Sequence, residues 1–206
     1  YIKQRYQGIE VYQSNSNVWV KNGEVINMHN AFVPNLAQKV NVTTPSISVL
    51  NALLTARELL NDSSVNSQII ETVSAKKFKI SNGNQTDSPV LAALVYHLLE
   101  NNEMRLAWDL NFYSQDTKHL WSVRIDAVTN KIIGTTRYYD YKPEKSSIAI
   151  GFTFLDRKFW GGPYNKSNKK LLIDYAFEHV DSIFFHIGAE NFRSQKAVLK
   201  LGAIKV

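Results

Sequence analysis

Cysteine is absent from the 206 residues, which excludes disulfides, thiolate zinc sites and cysteine nucleophiles. No apolar run approaches the ~18 residues that a membrane span needs, so no membrane partner is expected. No HExxH occurs, which removes a zincin site and with it peptidase chemistry of that kind. His29, His97 and His119 are scattered without metal-like spacing, and no metal is expected. The chain opens Tyr1-Ile2-Lys3-Gln4-Arg5, which is neither a start methionine nor a signal peptide. The expectation is a sequence that begins inside a longer precursor.

What is present is a one-sided charge. Residues 1–130 hold 11 Lys+Arg and 11 Asp+Glu, whereas residues 131–206 hold 13 and 7, so the whole net charge of +6 lies in the last 76 residues. The break falls at Thr129-Asn130, a turn inside one apparent hairpin, and suggests two segments with different partners.

Strand patterns dominate the neutral part. Val18 to Ile26 is two short apolar runs around Asn22-Gly23, a strong hairpin signal. Thr44-Pro45 reads as the opening of a helix, with Thr44 as its cap. Val49, Leu53, Ala56 and Leu60 then form one stripe at helical spacing. From Asn61 to Pro89 the residues are polar, mostly loop around a short strand. Leu106, Trp108, Leu110 and Phe112 alternate with polar or small residues, as do Trp121, Val123, Ile125 and Ala127. These spacings predict antiparallel strands covered on one side by the helix, an α+β arrangement. Asp109 and Asp126 fall on the outward faces and read as solvated carboxylates.

The segments RYQGIEVY (5–12), AFVPNL (31–36), the TPS-led helix (44–46), MRLAWDLNF (104–112) and WSVRIDAVTNKII (121–133) form an ordered series. The series resembles the propeptide of fungalysin-type (M36) secreted metallopeptidases. In that resemblance, residues 1–40 correspond to FTP-like strands and residues 41–133 to a PepSY-like segment. It implies a secreted folding aid and inhibitor, with an M36-type peptidase domain as partner. The family usually has Gly where this chain has Asn130, and Asn also tolerates the left-handed conformation.

The basic part reads strand, strand, glycine loop, helix, strand, helix. Ile148, Ile150, Phe152 and Phe154 alternate along one strand. The loop runs Trp160-Gly161-Gly162-Pro163-Tyr164-Asn165. Lys166, Lys169 and Lys170 fall in the first turns of the next helix, where cations oppose the dipole. A bound phosphate would reverse that sign, because glycines let backbone N–H groups approach it and the helix end favours it. A solvated basic face fits the same residues, and their chemistry does not choose between the two. Phe152, Phe154 and Phe184 sit in strand patterns that read as core, so no stacking platform for nucleic acid is expected. Asn191 is a good cap for a last helix that ends at Gly202.

The segments GTTRYYD (134–140), SIAIGFTFLDRKFWGG (147–162), YNKSNKKLLIDYAF (164–177) and ENFRSQKAVLKLGA (190–203) resemble a GNAT-family N-acetyltransferase of the ribosomal-protein acetyltransferase-like branch, over residues 132–206. The resemblance implies a cytoplasmic enzyme that uses acetyl-CoA as a small-molecule acyl donor. The strand end Phe154-Leu155-Asp156 would hydrogen-bond the pantetheine. Backbone amides from Gly161 and Gly162 to Tyr164 and Asn165 would cradle the pyrophosphate, with Lys166 beside them. Asn191 and Ser194 would lie near the pantetheine arm. An acceptor amine would attack the thioester directly, with a backbone N–H on the oxyanion. No residue is singled out for proton transfer: the tyrosine that many relatives use falls at Val198. In this resemblance the family's opening strand and helices have no counterpart, so a partial α/β segment with weak cofactor binding and little turnover is expected. Together the two resemblances imply a composite chain, an antiparallel PepSY-like sheet running into part of an acetyltransferase. The alternative is a purely non-enzymatic, propeptide-like binding module with the acetyltransferase part inactive.

Overall fold

A computed structural model describes residues 2–30, 32–62, 65–83, 88–99, 102–155 and 164–205. The chain forms β1 (Ile2–Tyr6), β2 (Ile9–Lys21), β3 (Glu24–His29), α1 (Leu36–Lys39), α2 (Val49–Leu59), β4 (Ile69–Ser74) and β5 (Lys77–Ile80). There follow β6 (Val90–Leu98), β7 (Met104–Tyr113), β8 (Leu120–Asp126), β9 (Ile132–Lys142), β10 (Ser147–Leu155), α3 (Tyr164–Phe177), β11 (Ser182–Phe184) and α4 (Phe192–Leu199).

One sheet runs β1-β2-β6-β7-β8-β9-β10-β11, with β3 beside β2 and the β4–β5 hairpin on β6. The ladders are antiparallel except β2–β6 and β10–β11. The hairpin expected at Asn22-Gly23 is present. Both residues have positive φ, 53° and 84°, which a two-residue turn matched to strand twist demands. Asn130 is left-handed too, with φ 58°.

Residues 61–89 hold the two strands β4 and β5 rather than a loop around one. The helix begins later than Thr44. Ser48 is the cap, its hydroxyl accepting from the Asn51 N–H at 3.2 Å. The reason is local: the Ser46 and Ile47 N–H groups both donate to the Ala127 carbonyl at 2.9 Å, which holds that stretch against β8 in a non-helical path.

α2 lays Val49, Leu53 and Ala56 onto Leu106, Trp108, Leu110, Val123 and Ile125. The Trp108 indole N–H donates to the Ile47 carbonyl at 2.8 Å. Arg57, on the same helix, is buried with 1% exposure. It pairs with Asp62, donates to the Asn82 side-chain oxygen at 2.6 Å, and lies over the Phe112 ring at 5.0 Å.

The opposite face of the sheet is not solvated, which corrects the reading of Asp109 and Asp126. Tyr12 from β2 crosses over it, and α3 covers its far side. Asp126, 8% exposed, accepts from the Val128 and Thr129 N–H groups at 2.9 and 2.8 Å and so holds the β8–β9 turn. Asp109 accepts from Arg124 at 3.3 Å and from the Asn111 amide at 3.1 Å. Arg124 is itself 1% exposed, donates to the Tyr12 hydroxyl at 2.6 Å and stacks on its ring at 4.7 Å.

Candidate acyl-donor site

The site is built where two parallel strands part. β10 and β11 pair at Ser147↔Ser182, Ile148↔Ile183 and Ala149↔Phe184. β11 ends there, while β10 runs on to Leu155. From Ile150 onward β10 keeps β9 on one side and has no strand on the other among the described residues. Between Gly151 and Phe154 its register against β9 slips by one residue. Such a bulge interrupts the ladder and turns backbone groups away from it.

The backbone of Phe154 and Leu155 is held opposite Thr135 and Gly134. Asp156, Gly161 and Gly162 lie outside the described residues. Tyr164, Asn165 and Lys166 open α3. Lys169 does not join the basic cluster expected at the start of that helix. It is 8% exposed and its ammonium sits 5.3 Å from the Phe185 ring. Burial lowers its pKa, so its charge serves packing rather than an anion in solvent. α3 rests on β9–β11 through Leu172 and Ala176, with Val180 from the turn after it, against Ile148, Ile150 and Ile183.

Asn191 caps α4, its side-chain oxygen accepting from the Ser194 N–H at 3.1 Å. The helix ends at Leu199, and Gly202, with φ 92°, closes the turn that follows it, its N–H donating to the Leu199 carbonyl at 3.1 Å. Gln195 closes the preceding loop by donating to the carbonyls of Gly188 and Ala189 at 3.0 and 2.9 Å. Asn191→Ala is expected to loosen α4 by about 1 kcal/mol, the usual worth of a cap. Faster amide exchange confined to residues 192–201 would show it, and unchanged exchange would refute it.

Two residues that sequence reasoning passed over meet at the parting of the strands. On the face shared by Ala149 and Gly151, the Tyr139 hydroxyl lies 3.0 Å from His186 Nδ1. The His186 ring stacks with Phe184 at 6.4 Å and 17°. Arg137 lies between the Trp121 ring, at 4.8 Å, and the Tyr139 ring, at 5.3 Å. The one available signal was Gly151, since a glycine inside a strand often marks a close approach.

The other face holds a cavity of about 360 Å³ between β7–β9 and α3, lined by Tyr12, Asp109, Asn111, Ser122, Tyr138 and Tyr175 among others. Burial pushes the Asp109 carboxyl up, against the opposing pull of Arg124 and Asn111. Burial also raises Tyr138, helped by Tyr175 and Tyr12, and its hydroxyl donates to the Leu172 carbonyl at 2.7 Å. The polar groups of this cavity are thus engaged with one another. Among the described residues no cluster of three His, Cys, Asp or Glu side chains could hold a metal ion.

A bulged strand with one open edge exposes backbone donors and acceptors of the kind that pair with an extended partner. The chain belongs to the GNAT acetyltransferase family, whose domain matches residues 89–204. The match starts at β6, within the stretch read as PepSY-like, and none of the comparisons supports the propeptide resemblance. No curated protein matches the chain.

Among solved structures, the chain is similar to an acetyltransferase from T. thermophilus, at 30% identity over 42% of this chain and 46% of that one, with a TM-score of 0.37. It is similar to spermidine N-acetyltransferase from Vibrio cholerae in complex with CoA and spermine, at 17% identity, 44% and 54% coverage and a TM-score of 0.38. A cAMP-binding acyltransferase from Mycobacterium smegmatis matches at 12% identity, 56% and 45% coverage and a TM-score of 0.43. The chain spans about half the length of these structures.

Proposed function

We propose that the chain binds acetyl-CoA along the open edge of β10 and transfers its acetyl group to an amine. The observation that carries this reading is the parting of β10 from β11 after Ala149↔Phe184. The open edge offers backbone donors and acceptors, spaced as in a sheet, to the two amides of a pantetheine arm. Phe154 and Leu155 are the last of that edge, and Asp156, which follows them in sequence, would extend the contact. Gly161, Gly162, Tyr164, Asn165 and Lys166 would meet the pyrophosphate at the start of α3. Asn191 and Ser194, at the head of α4, would flank the arm. The acceptor nitrogen would attack the thioester carbon, with a backbone N–H freed by the bulge on the developing oxyanion.

The relatives' names point to a CoA thioester as donor and amines as acceptors. The reading of residues 1–133 as an inhibitor of an M36-type peptidase has no observation in its favour. β6 to β8 continue through β9 without a gap in pairing.

Titration calorimetry tests the reading. Acetyl-CoA should saturate the chain below about 1 mM, the upper range of ordinary substrate constants. Gly162→Asp, which sets a like charge against the pyrophosphate, should weaken binding more than about tenfold, the effect of roughly 1.4 kcal/mol. Absence of heat at millimolar acetyl-CoA would overturn the proposal.

A further inference from the structure

We propose that His186 is the base that takes a proton from the acceptor amine, and that Tyr139 holds it in place. The proposal rests on the acetyl-transfer reading above and adds to it the residue that moves the proton.

The position is the first support. Ala149↔Phe184 is the last parallel pair, and His186 lies two residues further on, where the chain leaves β10. Phe184 and His186 alternate with Phe185, so both share the face of Ala149 and Gly151. On that face the imidazole is exposed. Asp109, the half-buried carboxylate of the neighbouring cavity, lies on the opposite face and is bound to Arg124 and Asn111.

The second support is the space made for its partner. To reach His186 from β9, the Tyr139 ring has to cross β10. A Cβ at Gly151 would sit 3.0 Å from Tyr139 Cε1 and 3.2 Å from its hydroxyl. Gly151 has no positive φ to account for it, so the glycine serves the tyrosine rather than the backbone. Arg137, stacked on Tyr139 and Trp121, fixes the ring from its other side.

The third is the chemistry of the contact. The proton of this contact is assigned to Nδ1, with the Tyr139 oxygen accepting, the tautomer that leaves the lone pair on Nε2. The acceptor arrives as R–NH3+. Nε2 takes one proton and passes it to water. The neutral nitrogen bonds to the thioester carbon as the C=O electron pair moves to oxygen. Collapse re-forms the carbonyl and breaks the C–S bond. The thiolate takes the second proton, from the new amide nitrogen, to give CoA–SH and R–NH–acetyl.

Nitrogen NMR on the full chain labelled at histidine tests the arrangement without an acceptor. His186 should show the Nδ1–H tautomer, and Tyr139→Phe should shift it toward Nε2–H. Acetyl-CoA should move the His186 signals, and 3′,5′-ADP, which lacks the thioester arm, should not. With spermine and a short peptide with a free N-terminus as acceptors, His186→Ala should lose about 100-fold or more in turnover, within the usual span for such a group. Its acetyl-CoA affinity should stay within about twofold, and added imidazole should restore part of the rate.

Turnover by His186→Ala within about twofold of the parent would overturn the proposal. So would His186 signals unmoved by acetyl-CoA that calorimetry shows to be bound. If neither acceptor reacts, the NMR displacement decides alone. Failure of acetyl-CoA to bind at all is a different result, and it removes the transferase reading itself.

Discussion

Arg57→Ala lowers stability by about 3–5 kcal/mol, the cost of stranding one member of a buried ion pair. The guanidinium is 1% exposed and its partner Asp62 7%. Burial pushes the Arg57 pKa down and Asp62 pulls it back up, so the pair persists only as a unit. Around it the contacts close into a ring. Arg57 donates to the Asn82 carbonyl at 3.1 Å and the Asn82 amide donates to the Tyr113 carbonyl at 2.9 Å. The Gln115 N–H donates to Asp62 at 2.9 Å, and its side-chain amide donates to the Asn82 carbonyl at 2.7 Å. The network ties α2 to the loop after β5 and to the end of β7. Alanine removes the charge and also empties the space over the Phe112 ring. Arg57→Met with Asp62→Leu should recover much of the loss, because a hydrophobic replacement of both partners strands no charge. Urea unfolding measures both variants. A loss under about 1 kcal/mol for Arg57→Ala would place this pair with exposed ones and refute the argument.

The second large effect is acid sensitivity set by His97. This side chain is 4% exposed, on the face crossed by Tyr12, with ring centroids 5.6 Å apart. Burial, with a smaller contribution from the Arg124 charge, holds its pKa down at about 3 against an ordinary 6.5. Below pH 6.5 the unfolded chain takes up a proton that the folded chain refuses. Stability therefore falls as pH drops from about 6.5 toward 3, by a total of roughly 4 kcal/mol. His97→Gln should flatten this limb, so that its urea midpoint at pH 5.5 equals that at pH 7.5 more nearly than the parent's does. His119 is shifted the same way, by burial first and then by Arg137, and His119→Gln is the control. Glu10 acts in a lower window. Burial raises its pKa, but Lys77, Lys3 and Arg5 together bring it down to about 2 from 4.5. The stability it supplies is complete above about pH 4.5 and is lost as pH falls toward 2. Identical acid limbs for the parent and His97→Gln would refute the assignment.

Local signals were legible in the sequence. Asn22-Gly23 set a hairpin, the Val49–Leu53–Ala56 stripe set a buried helix face, and Asn191 with Gly202 bounded α4. β7, β8 and β10 showed themselves by alternation. β6 did not, because its residues are apolar nearly throughout and Val95 to His97 are buried on both faces, which removes the period of two. The misreading of Asp109 has a longer range. Its pair Arg124 is covered by Tyr12, which lies 112 residues away in sequence. Alternation shows which residues share a face and is silent on what covers that face. The same limit hid the Tyr139–His186 contact, which joins residues 47 apart. In the candidate donor site, the strand and the α4 cap could be expected from pattern. The burial of Lys169 could not, since it depends on Phe185, which arrives just past the end of β11.

The turn at Asn130 has a bearing on inheritance. Its side chain donates to the Thr55 hydroxyl of α2 at 2.7 Å, and the strands on either side of it pair from Leu120↔Tyr138 to Ile125↔Ile132. Divided at that turn, one piece would carry the bare edge of β8 and the other the bare edge of β9. Each would recruit a foreign strand. The neutral and basic stretches are therefore no interchangeable cassettes. Each supplies the edge partner that the other would otherwise lack.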